Sequence, residues 1–211
     1  MRILAVADRV VRRLESSRAK EHFGSFDLIL GAGDLPYAYL SYLVDVFGAT
    51  ALFVAGNHDL RLTYDQDGFP IQAPQGWTYA AERRIEVEGF LIVGFSGSIA
   101  YNPGKPYHYS QSDMWLQALR QAPSLWLAEL RRGRRLDCLL THSPSAGIGD
   151  GPDYAHQGFR ALRWLVDRFR PRYHIHGHVH LYGVAMPAVR TYHTTTLINA
   201  YGLHIIDTES K

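Results

Sequence analysis

Apolar positions in this chain fall in short unbroken runs, at Arg2–Ala7 and at residues 28–33, 51–56, 90–97, 137–141 and 172–177. Runs of this length, rich in β-branched residues, suit strands covered on both faces. Between several of them the spacing changes to that of a helix. Phe159, Leu162, Leu165, Val166 and Phe169 share one helical face, and Arg170-Pro171 stops it. Leu40, Leu43, Val46 and Phe47 do the same before Gly48. Pro123 is expected to interrupt or kink a helical region at 113–132. Strands alternating with helices predict a layered α/β fold.

The last third reads differently. Residues 195–207 suggest two strands joined around Tyr201-Gly202, and the alternation over 83–95 breaks at Gly89 as a hairpin does. Hairpins mixed with βα units imply a mixed sheet or two sheets. No repeat, low-complexity tract or linker divides the chain, so residues 1–211 are expected to form a single domain. The long loops at 60–76 and 98–113 are of a length often tied to function.

Composition adds exclusions. Of 211 residues 46% are hydrophobic, and 22 Lys plus Arg nearly balance 20 Asp plus Glu. Charge therefore offers no support for a nucleic-acid partner, and the basic run 131–135 reads as a solvated helix end. The single cysteine, Cys138, lies among apolar residues and reads as a buried strand thiol in a reducing compartment. No apolar run approaches membrane-spanning length, and the N-terminal one is too short for a signal-peptide core, so a cytoplasmic protein without membrane partners is expected.

Nearly every apolar run ends on a group able to bind a metal: Asp8, Asp34, Asn57 with His58 and Asp59, His142, then His178 and His180. The carboxyl ends of parallel strands line one edge of an α/β sheet, where ligands bind. Oxygen and nitrogen donors would thus converge in one crevice, and histidine with carboxylates suits Zn, Mn or Fe. Gly33, Gly56 and Gly177 stand immediately before these donors and leave room for close approach. Taken singly, Asp8 and Asp34 read more readily as helix caps, Asn57 as a turn residue and His142 as a satisfied loop histidine. Their joint placement at strand ends carries the reading.

This set resembles the calcineurin-like metallophosphoesterase superfamily: Asp8, Gly33-Asp34, Gly56-Asn57-His58-Asp59, His142 and Gly177-His178-Val179-His180 occur in the family's order. The resemblance implies two mixed β-sheets in a sandwich flanked by helices, with a dinuclear centre at the sheet edge. It implies that Asp34 bridges two metals, that Asn57, His142 and His178 complete the second, and that Asp8 and His180 serve the first. His58 would protonate the leaving oxygen and Asp59 would orient it. The implied cofactor is a divalent cation, Mn²⁺ foremost with Fe or Zn as alternatives, and the implied reaction is phosphoester hydrolysis by metal-activated water.

One position departs from the family. Its first motif normally reads Asp-x-His, whereas Val10 follows Asp8-Arg9 here, so the first metal is expected to be held less securely than the second. Arg9 could offset the missing charge at a phosphate or simply begin the next helix. Asn102, in a loop that also carries Tyr101, Lys105, Tyr107, His108 and Tyr109, and His156, at the start of a helix, are further substrate-binding candidates. His193 and His204 read as strand-face residues, and His174 and His176 as core or supporting groups. The expected substrate is a small or nucleotide-like phosphodiester or other phosphoester rather than a phosphoprotein. The competing readings are a scaffold that has lost catalysis and a single-metal hydrolase.

Overall fold

A computed structural model describes the chain except residues 60–62, 65–69, 72, 103, 134–135, 182–186 and 209–211. The first half runs β1 (Arg2–Ala7), α1 (Ala19–Phe23), β2 (Leu28–Gly31), α2 (Tyr37–Phe47), β3 (Thr50–Phe53), the two-residue pair β4 (Thr63–Tyr64) and β5 (Pro70–Ile71), β6 (Trp77–Tyr79) and β7 (Arg84–Val87). The second runs β8 (Phe90–Phe95), β9 (Ser98–Ile99), β10 (His108–Tyr109), α3 (Gln111–Arg132), β11 (Cys138–Thr141), α4 (Arg160–Phe169), β12 (Tyr173–His176), β13 (Val189–Tyr192), β14 (Thr195–Asn199) and β15 (Gly202–Asp207). A single 3₁₀ turn, Tyr154–His156, precedes α4. Among the described residues no helix is long and apolar enough to cross a membrane.

Two mixed sheets result, in the orders β15-β1-β2-β3-β6 and β13-β14-β12-β11-β8-β7. The neighbours β1, β2, β3 and β6 are parallel, as are β8, β11, β12 and β14. Alternation along each strand builds three apolar layers. Ile3, Ala5, Leu28, Leu30 and Leu52 pack against Ile92, Cys138, Leu140 and Ile175 between the sheets. Leu4, Val6, Ile29 and Phe53 face outward onto Leu40, Leu43 and Phe47 of α2. Val93, Phe95 and Leu139 face the other way, onto Met114 and Leu125 of α3 and Leu162, Leu165 and Val166 of α4. Both strand faces are covered, which is why these strands read as unbroken apolar runs. The order helix, sheet, sheet, helix brings the carboxyl ends of both parallel sets to one rim.

Several expectations need correction. Strands β2, β3, β8 and β12 stop one to three residues short of their apolar runs, because the last residues turn out of the ladder toward the rim. Backbone pairing still carries over, as in Val54 N–H to the Gly31 carbonyl. The strands predicted at 195–207 do not pair with each other. β14 lies beside β12 while β15 runs antiparallel to β1, so the chain changes sheet at Ala200-Tyr201. The hairpin partner of β14 is β13, and His193 sits in the turn between them rather than on a strand face. Helix α3 continues through Pro123, which stands on its exposed face. It starts from a capping box of Ser110 and Asp113 and ends on Gly133 in the left-handed region. Part of the expected 60–76 loop lies outside the described residues.

Candidate metal centre

Asp8 follows β1 directly, His142 follows β11 directly, and Asp34, Asn57 and His178 lie two to four residues beyond β2, β3 and β12. Donor atoms of Asp34, His142 and His178 all lie within 4.8 Å of one another. Asp8, Asp34 and His178 turn into the rim through the left-handed region, at φ 60, 57 and 66°. Such a conformation is uncommon for a residue with a side chain, and it turns the chain sharply at the strand end. Glycines make the crowding possible. A Cβ on Gly56 would run into the Asp34 carboxylate, and one on Gly177 would stand 2.5 Å from Asp8 Oδ2.

Each ring is fixed by a backbone carbonyl. His142 is fully buried, and its Nδ1 bonds the Ala32 carbonyl at 2.7 Å. Its Nε2 then faces two acceptors, Asn57 Oδ1 at 2.9 Å and Asp34 Oδ2 at 3.3 Å. With the Asn57 oxygen turned this way, a neutral ring would set a lone pair against two oxygens, and a proton on Nε2 or a cation between the groups relieves that repulsion. The protonation balance follows. Burial alone would depress His142, but the charge of Asp34 and the bond to it outweigh burial and lift it to about 9. Burial likewise pushes Asp34 up, yet His142 and the His58 amide hold it below the ordinary carboxylate range. His178 Nε2 bonds the Ala155 carbonyl at 2.7 Å, which leaves Nδ1 as the nitrogen with a free lone pair. Burial holds His178 down at about 3, in its neutral, ligating form. This donor set fits a divalent cation.

The second group of donors is looser. Both Asp8 oxygens accept from the His178 amide, at 3.0 and 3.1 Å, and His180 Nε2 stands 3.8 Å from Asp8 Oδ1. Burial is the main reason Asp8 rises to about 7. Val10 packs with the apolar layer under α2. The Arg9 guanidinium lies 5.6 Å from the centre of the Tyr201 ring, which in turn lies 5.0 Å from the His180 ring.

The other predicted residues are placed as follows. His58 is exposed, with its amide bonded to Asp34 Oδ1 at 2.8 Å. Asp59, expected against the His58 ring, has Oδ2 on the amides of Gly56 at 2.8 Å and Asp34 at 3.1 Å, so it ties together the two turns that carry ligands. His156 does not begin α4. It closes the 3₁₀ turn, bonds Asp153, and brings its ring 5.1 Å from that of His178. Asn102 is exposed and its carbonyl accepts from the Lys105 amide. Its neighbour Tyr101 is the loop residue that reaches the centre: its hydroxyl accepts from Asn57 Nδ2 at 2.8 Å, which presents Asn57 Oδ1 to His142. His174 and His176 are fully or nearly buried behind the rim, and His174 bonds Thr141 Oγ1 at 2.9 Å. Ser96, which no pattern singled out, accepts from the Ala55 amide and so joins the turn after β3 to the end of β8.

The profile of the calcineurin-like phosphoesterase family matches residues 1–182, which span all of these donors. The chain belongs to the calcineurin-like phosphoesterase family. It is also similar to a UPF0046 protein of Caenorhabditis elegans, with 29% identity over 166 residues that cover 71% of this chain and 50% of that protein. The chain thus spans about half the length of this curated relative. TT1561 of Thermus thermophilus shares the fold, with a TM-score of 0.61 and 17% identity across 95% of this chain and 88% of the other. Vps29 from Cryptosporidium parvum aligns over 95% and 73% of the two chains, with a TM-score of 0.46 and 12% identity. Within this calcineurin-like phosphoesterase the better-furnished position is the one around Asp34, Asn57, His142 and His178.

Proposed function

We propose that this calcineurin-like phosphoesterase hydrolyses a small or nucleotide-like phosphodiester, with Mn²⁺ or a similar divalent cation held by Asp34, Asn57, His142 and His178. Asp8 and His180, with Asp34, hold a second cation more weakly. The supporting observation is the convergence of donor atoms of Asp34, His142 and His178 within 4.8 Å of one another, with His142 Nε2 aimed at two oxygens. Divalent cations held there would supply an ionised water as nucleophile and would neutralise the phosphate oxygens.

The chain's own residues do the rest. Ala32 and Ala155 lock the two imidazoles by their carbonyls, so no rearrangement is needed at the moment of reaction. Tyr101 holds the far end of the Asn57 amide and so fixes the position of its side chain at the centre. Asp59 braces the turns through backbone amides. His58, exposed at the rim and tied by its amide to Asp34, donates a proton to the departing alkoxide. Arg9 and His156 flank the opening and contact the phosphate or its substituent, with Asn102 farther out in the same loop as Tyr101.

The test is hydrolysis by the purified protein with Mn²⁺, with and without chelator, on an alkyl and a nitrophenyl phosphodiester. Replacement His58→Ala is expected to cost about 10²–10⁴ on the alkyl ester and far less on the nitrophenyl ester, whose leaving group needs no acid. Chelator-insensitive turnover, or an equal loss on both esters, overturns the assignment. A second reading is favoured by Val10, which packs partly buried against the apolar layer and offers no donor: a scaffold that binds cations and does not turn over. Metal binding with no hydrolysis of any ester would select it.

A further inference from the structure

Helix α3 is apolar on two opposite faces. Met114, Ala118, Ala122, Leu125 and Ala128 are buried on the sheet. On the far side Leu116, Leu119, Trp126, Leu127 and Leu130 are 51, 50, 42, 42 and 84% exposed, around Pro123. A helix with apolar residues all round is normally covered all round. Leu116, Leu119, Pro123, Trp126 and Leu130 follow the three-four spacing of a packing seam. Together the exposed side chains offer roughly 500 Å², the scale of the largest patch on a monomer and over half the ~800 Å² that each partner gives to a standard interface.

We propose that this face is the dimer interface of the protein, with α3 packed antiparallel on α3 of a second copy about a two-fold axis at Pro123. The spacing selects this occupant. Leu116 and Leu130 lie seven residues either side of Pro123, and Leu119 and Leu127 four residues either side. Apart from Trp126, whose mirror position is Arg120, the stripe therefore reads alike in both directions, which suits an isologous contact. Leu116 meets the partner's Leu130, and Leu119 meets the partner's Leu127. Charge agrees with the direction. Asp113 and Arg131 lie on one flank of the stripe near its opposite ends, so the antiparallel register brings Asp113 within a helical turn of the partner's Arg131. A parallel pair would instead carry Asp113 and the partner's Arg131 to opposite flanks and opposite ends of the seam, out of reach of one another. The groove between α3 and α4, lined by Trp126, Glu129, Leu130 and Arg168, borders the seam and leaves space beside Leu130.

The test is sedimentation of the full chain across micromolar concentrations, with cysteine cross-linking to read the register. The expected mass approaches twice the 23.9 kDa of one chain. Replacement Leu130→Glu is expected to weaken association about tenfold or more while leaving the melting temperature of the monomer and metal-dependent hydrolysis unchanged. Cys138 is buried, so an introduced thiol reports alone. Pro123→Cys, on the axis, is expected to form a disulfide with its own copy. Leu116→Cys is expected to do so when mixed with Leu130→Cys and not by itself. Monomers at every concentration overturn the proposal, including the case in which the stripe instead carries the protein onto anionic phospholipid vesicles. Self-linking of Leu116→Cys overturns the antiparallel register.

Discussion

Asp8, Asp34 and His178 each hold a left-handed backbone, a conformation that costs about 1–3 kcal/mol where the surroundings must enforce it. Their protons, however, give the sharper consequence. Burial lifts Asp8 to about 7, and Asp34 lifts His142 to about 9 against the effect of burial. Both groups bind protons more tightly in the folded chain than in the unfolded one. In the metal-free protein their stabilisation is therefore complete at low pH, fading for Asp8 as pH rises from 3.8 through about 7 and for His142 as it rises from 6.5 through about 9. Cations filling both positions must displace both protons, that of His142 at the stronger position and that of Asp8 at the weaker. Their joint apparent affinity should climb steeply up to about pH 7, where two protons leave, more slowly up to about pH 9, where one does, and then level. Titration calorimetry of Mn²⁺ in buffers of different ionisation enthalpy reads the proton count directly. More protons should be released at pH 6 than at pH 8, and an equal count at both would contradict this account.

At the scale of elements, the turns after β2 and β3 are shaped by what they must admit. A methyl on Gly56 meets the Asp34 carboxylate, whereas one on Gly48, the left-handed cap of α2, meets nothing within 4 Å. Gly56→Ala is thus expected to weaken Mn²⁺ binding at least tenfold, by about 1–3 kcal/mol of overpacking. Gly48→Ala should cost about 1 kcal/mol of stability and leave the metal affinity alone. Equal effects on binding would show that position 56 needs no special room. These turns also explain what the sequence could and could not disclose. The strand-end donors were readable because the apolar runs that contain β1, β2, β3, β11 and β12 each end immediately before one. Strand ends were misplaced because residues 32–33 and 54–56 stay apolar or small while leaving the ladder. The partners of β14 and β15 depend on contacts more than a hundred residues away for β15, which no local pattern encodes. Tyr101 lay in the right loop, but its bond to Asn57 spans 44 positions, and the same is true in kind of Asp59 and the backbone it holds.

For the molecule as a whole, the centre lies where the two sheets meet. Asp8, Asp34 and Asn57 follow strands of one sheet, and His142 and His178 follow strands of the other. The bonds of Asp8 to the His178 amide and of Asn57 to His142 already cross that seam. A cation sharing these donors joins the sheets, and it binds the folded chain in preference to the unfolded one. At one hundred times Kd such a ligand adds about 2.7 kcal/mol, which for a chain of this size corresponds to a rise of about 5–10 °C in melting temperature. The two positions should contribute unequally. His180, 43% exposed and 3.8 Å from Asp8, is a minor link, while Asn57 is buried and bonded to His142. Thermal melts in Mn²⁺ against chelator should therefore keep most of the rise in His180→Ala and lose most of it in Asn57→Ala. If both variants lose it equally, the positions are interdependent and Val10 has not weakened one of them. If the parent chain shows no rise, the seam is held by protein contacts alone.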